Sequence, residues 1–333
     1  MNFSLIICTY KRPKSLLTLL QSVKKQTLYP NEILIVDGSP DDFTEEMLAQ
    51  NHFLNLVYYK VEEKDRGLTK QRNYGIVRVS EASEVVCFLD DDTVLAPNYF
   101  EEIIKTYTIH PEALGVGGYI TNEVSWQYVG VDYVPKINEF YFDDYKRSDG
   151  SRFVWRKKLG LDSDALPGCS PDFSHGRSVG FLPPSGKVYP VEQLMGGVAS
   201  FRKSIFKEFQ FSTYFEGYGL YEDADFTLRV SKVGKLFLNT SAQLEHHHDA
   251  AGRPNQYTYG KMVVRNGWYV WRVKNPKPSF KAKLKWHAIT LLLTAIRATN
   301  IVTTPKKKET FTETLGRLVG WFLLFLNKPK EKL

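Results

Sequence analysis

Short apolar runs alternate with stretches of helical period through the first hundred residues. Phe3 to Cys8 has the length and content of a buried strand. Pro13 can open a helix at its first turn, and Leu16, Leu17, Leu20 and Val23 give that helix an apolar face. Glu32 to Val36 predicts a second strand, ending at Asp37-Gly38-Ser39, and a polar helix follows from about Asp42 to Gln50. Leu56 to Tyr59 predicts a third strand, Gly67 to Val79 a helix, and Val85 to Leu89 a fourth strand. After Pro97 a further helix runs to about Thr108. This order implies an α/β, Rossmann-like fold with a mostly parallel central sheet flanked by helices. Ligands of such sheets sit beyond the carboxyl ends of the strands. Thr9-Tyr10, Asp37 and Asp90-Asp91-Asp92 each follow a strand directly, so the topology gathers them at one edge.

The pattern then changes. Residues 119–189 read as irregular and are rich in aromatics, among them Trp126, Tyr128, Tyr141, Phe142 and Trp155. An insertion of this length carries recognition or a lid, or its aromatics form a satellite core. Lys235 to Asn239 is strand-like. Near the end, Ala288 to Ile296 and Leu315 to Leu326 are apolar stretches, the second interrupted by Gly316, Arg317 and Gly320. Neither is a clean run of about 20 residues, so a spanning helix is not expected. Trp286, Trp321 and the lysines around them, including Lys306, Lys307 and Lys308, suit helices lying in a membrane interface. Packing on the rest of the chain or on a second subunit is the competing reading.

Charge sharpens this division. Residues 253–333 hold 17 Lys and Arg against three Asp and Glu, a charge of +14, which leaves −7 for the rest of a chain whose total is +7. A mildly acidic body thus carries a basic tail, whose candidate partners are anionic lipid head groups, nucleic acid or the acidic body itself. Nucleic acid is not expected, because the basic residues interleave with long aliphatic faces. Cys8, Cys87 and Cys169 are widely spaced and form no CxxC pair, which points to a reducing compartment without disulfides. The apolar stretch at the N-terminus is too short for a signal peptide and reads as the first strand.

Candidate chemistry clusters in three places. The Asp90-Asp91-Asp92 turn is either a solvated acidic turn or a site where a hard divalent cation offsets like charges; its position at a strand's carboxyl end favours the second. Glu222, Asp223 and Asp225 open a helix that Gly234 stops. Dipole complementarity accounts for one acid there more easily than for three, and paired carboxylates are what general-base work needs. Gly196 and Gly197 precede them, and would let a substrate approach the backbone. Last, His246-His247-His248 follows the strand-like run; on an extended segment the outer two point one way and His247 the other.

Taken together these pieces resemble the family-2 glycosyltransferases of the GT-A fold. The matching segments, in order, are Ile7 to Pro13, Ile35 to Ser39, Gly67 to Gly75, Phe88 to Asp92, Gly196-Gly197, Glu222 to Asp225 with Arg229, and His246. The resemblance covers residues 3 to about 250. It implies a GT-A catalytic domain over 1–250, with a nucleotide-sugar half at about 1–118 and an acceptor half at about 119–250. A basic, amphipathic helical extension then occupies 251–333. It implies that Thr9, Tyr10, Arg12, Asp37, Arg72, Asp90 and Asp91 hold the nucleotide-sugar. Asp92 and His246 would bind Mn²⁺ or Mg²⁺, with Asp223 as catalytic base and Glu222, Asp225, Gly196 and Gly197 as acceptor or supporting groups. Only Asp37 stands before Gly38, where the family phrase carries two acids, so the nucleotide is left open.

The function implied is inverting, metal-dependent transfer of a hexosyl or deoxyhexosyl group from a nucleotide-diphosphate-sugar. The acceptor would be a hydroxyl of a glycan or lipid-linked saccharide, as in polysaccharide biosynthesis. The expected location is the cytoplasm, peripheral to the inner face of the plasma membrane; a homo-oligomer is compatible with the sequence. The alternatives are a sugar-phosphate nucleotidyltransferase and a non-catalytic glycan-binding protein on the same fold. The first usually shows a glycine-rich phosphate loop after its first strand, and Thr9 to Pro13 contains no glycine. Intact Asp92 and Asp223 argue against the second.

Overall fold

The computed structural model describes residues 1–248 and 254–329. In chain order its elements begin with β1 (Phe3–Thr9), α1 (Pro13–Val23), β2 (Glu32–Asp37), α2 (Phe43–Ala49), β3 (Leu56–Lys60), α3 (Leu68–Ile76), β4 (Val85–Asp90), β5 (Thr93–Leu95), α4 (Tyr99–Ile109) and β6 (Ala113–Ile120). There follow β7 (Gln127–Tyr128), β8 (Glu139–Phe142), β9 (Tyr145–Ser148), α5 (Ser151–Lys158), β10 (Val188–Val191), β11 (Val198–Arg202), α6 (Glu222–Val230) and β12 (Lys235–His246). Three helices close the chain: α7 (Gln256–Lys274), α8 (Phe280–Thr303) and α9 (Lys307–Leu326). Two compact units result, Met1–Val124 with Val179–Arg253 and Ser125–Ser178 with Pro254–Leu333. Residues 125–178, read from the sequence as part of an acceptor half, therefore group by compactness with the C-terminal helices.

The first unit is built on one sheet, ordered β10-β12-β6-β11-β4-β1-β2-β3, with β5 paired to the far end of β12. Strands β3, β2, β1 and β4 are parallel, as predicted. The chain leaves β1 in one direction for β2 and β3, then returns to its other side for β4, so the ends of β1 and β4 flank a topological switch point. Register levels the site residues: Thr9 lies opposite Asp37, and Cys8 opposite Asp90. Beyond β4 the sheet is mixed, because β11 runs antiparallel to both β4 and β6. Strand β6 has no alternating signature because Gly115, Gly117 and Gly118 stand where a Cβ would strike Phe201, Leu194 and Tyr99.

The core follows from the apolar runs. Phe3, Leu5 and Ile7 pack with Leu16, Leu19, Leu20 and Val23 of α1 and with Phe100 and Ile103 of α4. On α1 Leu19 is fully buried along with Leu16, Leu20 and Val23, while Leu17 is only half-buried. Pro13 occupies the first turn of that helix, where its missing N–H costs nothing. All three cysteines are free.

The second unit contains regular structure where the sequence reads as irregular. Strands β7, β9 and β8 form a small antiparallel sheet, and α5 follows it. Among the C-terminal helices, α9 lies close against α7 through glycines. A Cβ on Gly316 would stand 2.1 Å from the Tyr257 carbonyl oxygen, and one on Gly260 would stand 2.2 Å from that of Glu313. Trp268, Trp271, Trp286, Val264 and Leu324 form the core of these helices. Trp286 is only 5% exposed and stacks on Trp271, so it is not the membrane-interface anchor that its flanking lysines suggested; its ring is needed inside. Trp321 is half-buried and donates its indole N–H to His287 Nδ1 at 3.1 Å. No helix among the described residues is long and apolar enough to cross a membrane.

Alanine is the better helix former by about 1 kcal/mol. At Gly316, however, the added methyl meets backbone. Gly316→Ala is expected to destabilise by about 1–3 kcal/mol through overpacking. Chemical denaturation measures this, and a gain in stability would show that the two helices are not so closely apposed.

Candidate active site

The triplet sits where β4 ends, and its middle side chain turns away from the outer two. Asp91 turns toward the β1–α1 loop. Its carboxylate accepts the Thr9 hydroxyl at 2.6 Å and the Arg12 guanidinium at 3.0 Å. Burial pushes Asp91 up to about 6, against the pull of Thr9 and Arg12. Asp90 lies 3.5 Å from the Arg72 guanidinium. Asp92 faces His246, whose Nε2 is 3.0 Å from Asp92 Oδ1.

Strand pairing delivers that histidine. The end of β12 pairs with β5, placing His246 opposite Thr93, and the His247 N–H donates to the Asp92 carbonyl at 2.9 Å. The outer histidines share a side, with ring centroids 4.0 Å apart, while His247 reaches Glu245 instead. Glu123, which sequence reading missed, meets both outer rings: His246 Nδ1 at 3.5 Å and His248 Nε2 at 2.8 Å. Burial alone would lower the His246 imidazole, but Asp92 and Glu123 outweigh it and raise it to about 10. Asp90, Asp92 and His246 each offer a donor atom, all within 4.8 Å of one another. Two carboxylates and an imidazole are a donor set that fits Mn²⁺, and with fewer nitrogen ligands Mg²⁺.

The second acidic group arrives on α6. The loop before it bends through Gly217 and Gly219, both at positive φ, and Tyr221 is held in the left-handed region at φ 71°. A non-glycine residue there costs about 1–3 kcal/mol, and such strain concentrates at functional sites. It turns Glu222 and Asp223 back toward the strand ends. Glu222 is 4% exposed and paired with Arg72. Burial raises its carboxyl, against the pull of Arg72. Asp223 is half-buried; its carboxylate accepts the Gly196 N–H at 3.1 Å and the Ala224 N–H at 2.7 Å. Burial raises Asp223 as well, with those two N–H groups opposing.

Arg72 joins the two groups. It is 3% exposed, and its guanidinium lies over the rings of Phe211 and Phe88 at 5.1 and 5.8 Å. Gly196 and Gly197 make room for these contacts. A Cβ on Gly197 would fall 2.1 Å from an Asp90 carboxylate oxygen, and one on Gly196 would meet Arg72 and Glu222, both at 2.6 Å. The glycines therefore admit the protein's own charged side chains, a tighter constraint than the open backbone approach expected from the sequence.

Three predicted residues are placed differently from the rest. Asp37 is fully buried: it accepts the Ser39 N–H at 2.7 Å, the Ser39 hydroxyl, and the Tyr58 hydroxyl at 3.0 Å. The Ser39 hydroxyl in turn accepts the Lys11 N–H at 2.8 Å, so Asp37 shapes the loop after β1. Asp225 is also fully buried, and its carboxylate is held by Arg229 one helical turn on, at 2.7 and 3.1 Å. Tyr10 is 40% exposed at the end of β1. Gln71 was not singled out from the sequence, yet its amide donates to the carbonyls of Thr9 and Val36, tying β1 to β2 beside the site.

The fold is that of the GT-A domains. The solved structure of GalNAc-T7 with UDP, GalNAc and Mn²⁺ superposes with a TM-score of 0.52 at 15% identity, covering 80% of this chain and 48% of that one. That of S. aureus TarS 1–349 gives 0.52 at 16% identity, covering 97% and 80%. Residues 4–161 match the family model described as glycosyl transferase family 2. Those residues are a little under half of the chain, and over them it is similar to the family-2 glycosyltransferases. Curated relatives include the glucosyl-dolichyl phosphate glucuronosyltransferase of Haloferax volcanii, 29% identical over 150 residues, which are 44% of each chain. The O-antigen chain rhamnosyltransferase RfbN of Salmonella typhimurium is 28% identical over 96 residues, 29% of this chain and 30% of that one. The matched part spans less than half the length of these relatives.

Removing Arg72 leaves Glu222 buried without its cation. Arg72→Met should cost about 3–5 kcal/mol, as breaking one side of a buried pair does. Adding Glu222→Gln should recover much of that loss. A denaturant double-mutant cycle checks it; additive effects would show that the two groups do not interact.

Proposed function

We propose that the site transfers a sugar from a nucleotide-diphosphate-sugar to a hydroxyl, by single displacement with inversion. One observation carries this reading: Arg72 pairs with both Asp90 and Glu222, and the Gly196 N–H bonds to Asp223, so Asp223 lies at the same strand ends that hold Asp90 and Asp92. A donor diphosphate would lie at the switch point, with Asp90 and Arg72 on its nucleotide side and Thr9, Tyr10 and Arg12 along the β1–α1 loop. Asp91 orders that loop through Thr9 and Arg12, and Asp37 orders it through Ser39. Asp92 and His246, with Asp90, would hold a divalent cation. Such a cation, when bound, neutralises charge on the leaving diphosphate.

Asp223 would act on the acceptor. A hydroxyl becomes an effective nucleophile as its proton is taken, and a carboxylate raised above its ordinary pKa by burial is better matched to that task. The two N–H groups fix the direction of its oxygens. Glu222 is engaged by Arg72 and supports the position of Asp223. Asp225, paired with Arg229, stiffens α6 behind them. The archaeal glucosyl-dolichyl phosphate glucuronosyltransferase and the bacterial O-antigen chain rhamnosyltransferase among this chain's relatives support a glycan or lipid-linked saccharide as acceptor.

Asp223→Asn is expected to lower donor turnover by at least about 100-fold. The melting-temperature rise produced by UDP, GDP or dTDP with Mn²⁺ should survive, since binding to the folded state is retained. Turnover should also fall with acid around a midpoint above the ordinary aspartate value, because protonation removes the base. Unaltered turnover in the asparagine variant excludes Asp223 from this role.

The raised His246 gives a second test. Its proton must leave before the ring can bind a cation. Mn²⁺ binding at pH 7.5 should therefore release a proton, and affinity should rise with pH up to about 10. Titration calorimetry in buffers of different ionisation enthalpy measures the release. His246→Gln should abolish it; release that persists in that variant assigns the proton elsewhere.

A further inference from the structure

Helix α9 has two opposite faces, and only one of them is used. Gly316, Gly320 and Leu324 pack inward. On the other side of the helix Phe311, Leu315, Leu318, Phe322 and Phe325 are all between 43% and 58% exposed. Their spacing of four and three residues draws a continuous stripe. Helix α8 repeats the arrangement: Trp286 and Ile289 are buried, while Phe280, Leu284 and Val302 on the opposite side are 75%, 54% and 82% exposed. Scattered exposed apolar residues need no explanation, but aligned ones mark a surface that meets something apolar.

The charges say what that is. Between Phe311 and Leu326 the only charged side chains are Glu313 and Arg317. Glu313 bridges to Arg297 at 2.6 Å and to Arg317 at 2.8 Å, so this charge is spent within the helices. Exposed lysines stand at both ends of the stripe, Lys306, Lys307 and Lys308 before it and Lys328 after it. Two copies of α9 joined along this face would set lysines against lysines whether parallel or antiparallel. A surface with an apolar interior and an anionic rim suits the same pattern at both ends.

We propose that the exposed stripe of α9, with that of α8, lies in the interface of a bilayer carrying anionic phospholipid. The phenylalanines and leucines enter the acyl boundary and the terminal lysines meet phosphate. The tryptophans, which are needed in the helical core, take no part. This inference is independent of the proposed reaction, since it concerns binding without donor or acceptor.

The test is co-sedimentation of the full chain with vesicles of phosphatidylcholine alone or with about a quarter phosphatidylglycerol. The chain is expected to pellet with the anionic vesicles at low salt and to be released as salt screens the lysines. Leu318→Ser with Phe322→Ser should weaken the partition by about tenfold or more. These two side chains are 45% and 58% exposed, so thermal unfolding should change little. Binding by the double variant equal to that of the parent overturns the proposal. So does a chain that ignores vesicles and sediments as a dimer which the double variant dissolves, because that gives the face to a second copy.

Discussion

A buried guanidinium holds the acidic site together. Asp90 comes from the end of β4 and Glu222 from the start of α6, 132 positions later in the chain. Brought together without a cation, such carboxylates repel one another strongly in a medium of low polarisability. Arg72 stands between them and is shielded by Phe88 and Phe211. Its place depends on how α3 is seated. Gly75 lets the helix come down on the sheet, since a Cβ there would lie 2.9 Å from Ile6. Gln71 bonds to the ends of β1 and β2 from the same turn. A single helix thus fixes the strand ends, the loop they carry and the charge that lets the acids converge.

Strands β1, β2 and β4 were legible because they are buried on both faces and read as unbroken apolar runs. The rest was hidden for identifiable reasons. Glycines in β6 remove the alternation on which strand reading depends, and they are there because large neighbours fill the space. The short strands β7 to β9 lie among aromatics and lysines that have no period long enough to detect. In α9 the Gly316 and Gly320 positions looked like breaks in an apolar run and are instead where it lies against α7, most closely at Gly316.

The candidate site divides the same way. Acids at strand and helix ends could be read, because position alone made them suspicious. Their partners could not, because the contacts span most of the chain. Glu123 lies just past β6 with no helical or strand spacing to mark it, yet it touches both outer histidines. Asp225 was legible in principle: Arg229 stands four residues on, the spacing of an intrahelical ion pair, which draws its carboxylate away from Asp223. For Asp37 the local partner Ser39 stands two residues on, whereas Tyr58 lies on the next strand and leaves no mark in the spacing.

The aspartate triplet shows why three acids are arranged as they are. Asp90 and Asp92 are separated by one residue and converge with His246, whereas Asp91 is drawn to Thr9 and Arg12. The strand ends at Asp90, and the turn through Asp91 and Asp92 sends the middle side chain toward the β1–α1 loop and away from the outer two. An apolar residue there would leave the Thr9 hydroxyl and the Arg12 guanidinium without this carboxylate in a nearly dry pocket. An aspartate answers both, and it links the β1–α1 loop to the strand bearing the ligands. The middle acid therefore converts a pair of carboxylates into a fixed pair, and the geometry offered to a cation depends on a residue that need not touch it.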